Sequence, residues 1–132
     1  MKKNKEYIKF LNDLKSKIKH AQYKAYRSVN KQLIKLYWDI GKSIVEKQEK
    51  IGWGKKIIQR LSEDLQKEFP KQKGFSVPNL WFMRKIYLTY RNNAKLLQLV
   101  REIPWGQNIA ILTKLKNDYA REYYLRMTIR NY

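Results

Sequence analysis

An all-α fold is predicted for this 132-residue chain. Three observations predict it. Apolar residues recur at steps of three or four along most of the sequence, and no stretch alternates polar and apolar with a convincing period of two. Proline is absent from residues 1–69, and the first glycine is Gly41. A chain of this length is expected to form one domain, burying roughly two-thirds of its unfolded surface. That single domain, over residues 1–132, divides into a helical spine (1–50), a helix-turn-helix (53–91) and C-terminal helices (104–130).

The spine shows its apolar series at Tyr7, Leu11, Leu14, Ile18, Ala21, Ala25 and Val29, continuing through Leu33, Leu36, Ile40 and Ile44. The series reads as two helices with a soft join near His20 to Tyr23, one very long helix being the alternative. Such a spine must lie across the other elements and offers a dimerisation surface. Gly41, beside Tyr37, Trp38 and Ile40, reads either as a packing glycine that admits another helix or as a local kink. Gly52-Trp53-Gly54 then makes a turn, with the indole expected to pin it to the core.

Residues 54–69 read as an amphipathic helix, with Ile57, Ile58, Leu61, Leu65 and Phe69 inward, ended by Pro70. A basic connection follows. Ser76 is placed to N-cap a helix over residues 76–91, with Pro78 tolerated in its first turn. On a helical wheel Leu80, Met83, Ile86, Tyr87 and Tyr90 form an inward arc, while Trp81, Lys85 and Leu88, flanked by Phe82, Arg84 and Thr89, point outward. Residues 94–103 are apolar, and a small wing hairpin over 96–103 is the alternative to a helix there. After Pro104-Trp105-Gly106, Asn108 is expected to cap a short helix to Lys116 and Asp118 a last one to about Arg130.

Thirty Lys and Arg against eleven Asp and Glu give a net charge of +19. Residues 1–50 hold fourteen basic and five acidic residues (+9), and residues 51–132 hold sixteen and six (+10), so neither half is a detachable basic tail. A polyanionic partner, such as nucleic acid, would relieve that self-repulsion. The absence of cysteine excludes disulfides and thiolate metal sites and suits a reducing cytoplasm, and one histidine, His20, cannot build a metal site unaided. No run is apolar enough to read as a membrane span.

The acidic residues are too scattered for a carboxylate pair, and neither G-x-x-x-x-G-K-[ST] nor G-x-G-x-x-G occurs. The single (D/E)-x-K, Asp13-Leu14-Lys15, sits in a helical pattern with no upstream Asp. The chain therefore reads as non-enzymatic, with no cofactor and no metal.

Several phrases occur together and in order: Val29-Asn30, Leu36-Tyr37-Trp38-Asp39-Ile40-Gly41, Gly52-Trp53-Gly54, Arg60-Leu61-Ser62-Glu63-Asp64-Leu65, Gly74-Phe75-Ser76, Asn79-Leu80, Met83-Arg84 and Ile103-Pro104-Trp105-Gly106. Over residues 14–130 this run resembles the N-terminal domain of the YhcG-like family of PD-(D/E)XK nucleases. The resemblance implies a helical, winged-helix-like DNA-binding domain that accompanies a nuclease domain, in cis or in trans. The chain's end at Tyr132 falls about where the family's linker to the nuclease would begin. A histidine that the family often carries after Pro-Trp-Gly is replaced here by Gln107.

The expected function is thus a non-catalytic targeting module that binds duplex DNA. Lys85 and Arg84 would lie near the groove. Ser76 and Asn79 would offer a helix N-terminus to phosphate, and Lys55, Lys56, Arg60, Lys71 and Lys73 would hold the backbone. Trp81 is read evenly between base stacking and burial, whereas Trp38, Trp53, Trp105 and Tyr87 are expected in the core. Two alternatives come from other classes: a protein-interaction module that homodimerises through the N-terminal helices, and a binder of RNA or single strands.

Overall fold

The computed structural model describes residues 2–131, with side chains from residue 4. It is all-α: six helices and, among the described residues, no strand. They are α1 (Lys2–Ile51), α2 (Lys56–Glu68), α3 (Val77–Tyr90), α4 (Ala94–Val100), α5 (Trp105–Lys114) and α6 (Asp118–Arg130).

The N-terminal spine is one continuous helix, not two. No residue between His20 and Tyr23 breaks helical backbone, because that segment lacks glycine, proline and any competing cap. At 1.5 Å per residue, its 50 residues reach about 75 Å, longer than the body they serve. The face of α1 that the body uses also differs from the expected one. Ile34, Tyr37, Gly41 and Val45 are buried, while most of the long apolar series stays exposed: Tyr7, Leu14, Ile18, Val29, Leu33 and Leu36 all lie in solvent. The side that packs carries Ile34, Tyr37, Ile44 and Val45 together with Gly41 and the hydrogen-bonding Asn30 and Gln48, a shorter apolar run than the series over residues 7–36.

α3 is the hub. Leu80 and Met83 join Tyr37, Ile44, Ile58 and Phe75 in one apolar cluster. One turn on, Ile86 and Tyr90 join Ile34, Leu96, Val100, Ile103, Leu112 and Leu125 in the other. α1 crosses α3 at Gly41, where a Cβ would collide with the Met83 carbonyl. Gly41 is therefore a packing residue, and the helix it admits belongs to the same chain. Trp38 stacks edge-on against Tyr87 at 5.0 Å beside this crossing.

Ion pairs hold α1 to the body: Arg27 and Lys31 both reach Glu102, at 3.1 and 3.0 Å, and Arg91 reaches Glu49 at 3.2 Å. Asn30 Nδ2 donates to the Ile103 carbonyl at 2.8 Å.

Residues 94–100 form α4, not a strand of a wing, because Asn93 caps it by accepting from the Leu96 amide at 3.1 Å and both flanks turn. Asn108 does not cap a helix. α5 begins earlier, behind Pro104, and Asn108 lies buried within it, donating to the Val100 carbonyl at 3.0 Å. Asn117, one residue before the expected Asp118, caps α6 through the Ala120 amide at 2.8 Å. No helix among the described residues is long and apolar enough to cross a membrane.

Candidate nucleic-acid interface

The connection from α2 to α3 is tied down on its inner side. Ser62 Oγ donates to the Phe75 carbonyl at 2.6 Å, and Gln66 Nε2 reaches both that carbonyl (3.2 Å) and the Ser62 hydroxyl (2.8 Å). Gly74 sits at φ +111°, a left-handed backbone that L side chains rarely adopt, and a Cβ there would meet the Tyr37 ring and hydroxyl. Burial pushes the Tyr37 phenol above its ordinary pKa. With its inner side fixed, the turn presents Lys71 and Lys73 outward, both exposed.

Ser76 is the N-cap of α3 as expected, accepting from the Asn79 amide at 3.3 Å, with Pro78 in the first turn. The Asn79 side chain is committed elsewhere. Its Nδ2 donates to the Gly74 carbonyl at 2.6 Å, and its Oδ1 accepts from Trp105 Nε1 at 2.6 Å. Asn79 thus braces the turn against α5. Trp105, stacked edge-on to Tyr37 at 4.8 Å, has the packing role expected of it.

Arg84 turns back toward α1: its Nε donates to Gln48 Oε1 at 2.7 Å, and its guanidinium lies over the Trp81 ring at 5.4 Å from the centroid. Trp81 is half-buried and packs on the Tyr37–Met83 cluster. The outward face expected for α3 is therefore narrower than the wheel implied. Phe82, Leu88 and Thr89 are half-buried, and Pro78 and Lys85 are the exposed residues within the helix. On α2, Lys55 at its N-cap, Lys56 and Arg60 are all exposed.

Trp53 corrects the expectation of burial, being 44% exposed. Gly52, at φ +80°, and Gly54 both face open space. The indole walls a groove of about 300 Å³ between α1 and α2, floored by Ile44, Ile57 and Leu61 and rimmed by Lys47 and Arg60. The groove joins side chains of two helices, and no local sequence signal marks it.

Between Lys50 and Tyr90 there are nine basic residues and three acidic ones, Glu63, Asp64 and Glu68. Among the described residues, ion pairs involve Arg27, Lys31, Arg91, Lys95, Arg121 and Arg126, and none of those nine. The segment thus carries a net positive charge, nine basic against three acidic residues (+6). Among the described residues no group of three His, Cys, Asp or Glu side chains could hold a metal ion. Asp13 lies exposed on α1, far in sequence from any other element.

Comparison with known proteins gives a consistent picture. The chain is 34% identical over 142 aligned positions to a protein of Escherichia coli (strain K12) named "Putative nuclease YhcG". The match covers 83% of this chain but 37% of that relative, of which it is the N-terminal part. No solved structure matches. The DUF1016 N-terminal domain pattern matches residues 13–132, nearly the whole chain, and the chain belongs to that family.

Proposed function

We propose that this domain is a non-catalytic targeting module that binds duplex DNA on behalf of a PD-(D/E)XK nuclease domain, in cis or in trans, with α2, the basic turn and α3 acting as a helix-turn-helix. The observation that carries this reading is the set of eight exposed cations from Lys50 to Lys85, none in an ion pair among the described residues, in the segment that also holds the exposed N-cap of α3. Backbone N–H groups at that end favour a phosphate, and Ser76 is exposed there. The relative's name supports the link to a nuclease.

The contacts divide by what each side chain is free to do. Lys55, Lys56, Arg60, Lys71, Lys73, Ser76 and Lys85 would meet the sugar-phosphate backbone. Asn79, Trp81 and Arg84, each held within the chain, would instead fix the attitude of α3. With Lys85 the one exposed charge within α3, binding would rest on phosphates more than on base edges, giving strong salt dependence and weak sequence preference.

Fluorescence anisotropy on labelled duplex, single-strand and RNA oligonucleotides of equal length tests this. A set of six or more phosphate contacts should lose on the order of a thousandfold in affinity between 50 and 200 mM salt. Lys85→Glu, and separately Lys71→Glu with Lys73→Glu, should weaken duplex binding without lowering Tm. Unchanged affinity in both variants would remove α3 and its turn from the interface, and a preference for RNA or single strands would replace the duplex.

A further inference from the structure

α1 has two apolar faces and the body uses one. Asn30, Ile34, Tyr37, Gly41, Val45 and Gln48 make the contacts described above. The exposed stripe from Tyr7 to Leu36 lies roughly 140° away around the helix, at 100° per residue. Ile18 is 56% exposed, Val29 64% and Leu36 42%. Among the described residues, none of the body covers that side.

We propose that a second copy of this chain covers the stripe, its α1 lying antiparallel to the first, with the two-fold axis between Ala21 and Gln22. Length is the first argument. The stripe's apolar positions average about 3.6 residues per turn over Tyr7 to Leu36, so it runs straight along a straight helix for about 45 Å. A surface that long and narrow fits another helix of equal length, and each copy of this chain supplies one.

Size complementarity is the second. The proposed axis sets Tyr7 beside the partner's Leu36, Leu14 beside the partner's Val29, and Ile18 beside the partner's Ala25. Ala21 falls at the crossing, where a small side chain lets two helices approach closely.

Charge is the third. One flank of the stripe carries Glu6 toward the N-terminus and Lys35 toward the body. An antiparallel pair sets that flank against itself in reverse, bringing Glu6 near the partner's Lys35. Residues 27–132 hold 22 basic and nine acidic residues, +13 per body. Antiparallel packing keeps the two bodies apart, about 60 Å between the two Gly41 positions at 1.5 Å rise per residue, whereas a parallel pair would crowd them at one end. Each chain carries +19 and Lys17 meets the partner's Lys24 near the axis, so association should tighten as salt screens the net repulsion between the copies, opposite to the effect on DNA binding.

Sedimentation equilibrium on the chain without nucleic acid should give twice the 16.1 kDa mass, with dimer favoured at higher salt. Ile18→Asp should restore the monomer while leaving the near-UV tryptophan signal unchanged, since all four tryptophans lie in the body. The chain has no cysteine, so introduced ones report geometry. Ala21→Cys alone should cross-link, as should Leu14→Cys mixed with Val29→Cys, but Leu14→Cys alone should not. A monomer at every concentration, a dimer that survives Ile18→Asp, or efficient cross-linking by Leu14→Cys alone would overturn the proposal. So would a monomer that co-floats with anionic phosphatidylserine vesicles through Ile18. None of these results bears on the anisotropy assay, so the two readings fail separately.

Discussion

Gly41→Ala is a small change at the point where the two longest helices of the fold, α1 and α3, cross. The added Cβ would collide with the Met83 carbonyl oxygen, lie 2.6 Å from its carbon and sit 3.1 Å from the Arg84 nitrogen. All three are backbone atoms, so no side chain can swing aside. Ordinary van der Waals contact begins near 3.4 Å, so the α1–α3 crossing must open by about 1 Å, and a gap of that size forfeits a quarter to a half of each contact's dispersion energy along the seam.

Overpacking of this kind costs about 1–3 kcal/mol. Against it stands the helix propensity of alanine, worth about 1 kcal/mol over glycine in a helix interior. The steric loss should exceed the gain, because the crossing also aligns Trp38 with Tyr87 and Arg84 with Gln48. A net loss of about 1–2 kcal/mol corresponds to a Tm lower by roughly 3–10 °C for a domain of this size. Gly106→Ala is the control: the same substitution in α5, with nothing within 4 Å of the new Cβ. It should leave Tm unchanged or raise it by a few degrees, about 0.5–1 kcal/mol. Far-UV circular dichroism melts at one fixed protein concentration would compare the two, since self-association makes Tm depend on concentration. If Gly41→Ala raises Tm as Gly106→Ala does, the close approach of α1 and α3 is not as described.

Three further substitutions test other parts of the frame. Tyr90 is fully buried and its hydroxyl has no hydrogen-bond partner among the described residues, so Tyr90→Phe should be neutral or stabilising by up to about 2 kcal/mol, read from urea unfolding. Asn79→Ala leaves the Gly74 carbonyl and the Trp105 indole N–H without their partner, and should destabilise by about 1–3 kcal/mol in the same assay. Glu122 is held below the usual carboxylate range by its hydrogen bond from Lys95, with Arg126 beside it. A depressed carboxylate contributes stability above its unfolded pKa and loses it as pH falls through the folded one. The Tm difference between the natural chain and Glu122→Gln should therefore be present at neutral pH and shrink as pH drops below about 4. A difference that grows on acidification would contradict the pairing.

What could be read from residues alone follows from which forces leave a local trace. Ser76 and Pro78 mark the start of α3, and Leu80, Met83, Ile86 and Tyr90 mark its buried arc, because capping and burial both act within a few residues. The partners of Asn79 and Arg84 left no such trace: Trp105 lies 26 residues from Asn79, and Gln48 lies 36 from Arg84. Asn108 was legible as polar and helical, but its place inside α5 depends on carbonyls that only the folded turn at residues 100–103 supplies. For the candidate interface, charge was legible and availability was not. Seven of the ten proposed contacts are exposed side chains, and the other three are tied to the fold.

The long helix shows the same limit in its sharpest form. Its strongest periodic signal, Tyr7 to Leu36, reads inward on hydrophobicity alone, yet the body binds the side bearing Asn30, Gly41 and Gln48. Periodicity reports that a face is apolar, not what it meets. A domain that needed only its own core would gain nothing from a second stripe on its spine, and would risk aggregation through it. The stripe therefore argues for a partner on the far side, while the unpaired cations of α2, the turn and α3 argue for a polyanion on the body. Salt separates the two demands: it should tighten the first association and loosen the second, so the occupancy of each surface can be followed in one titration.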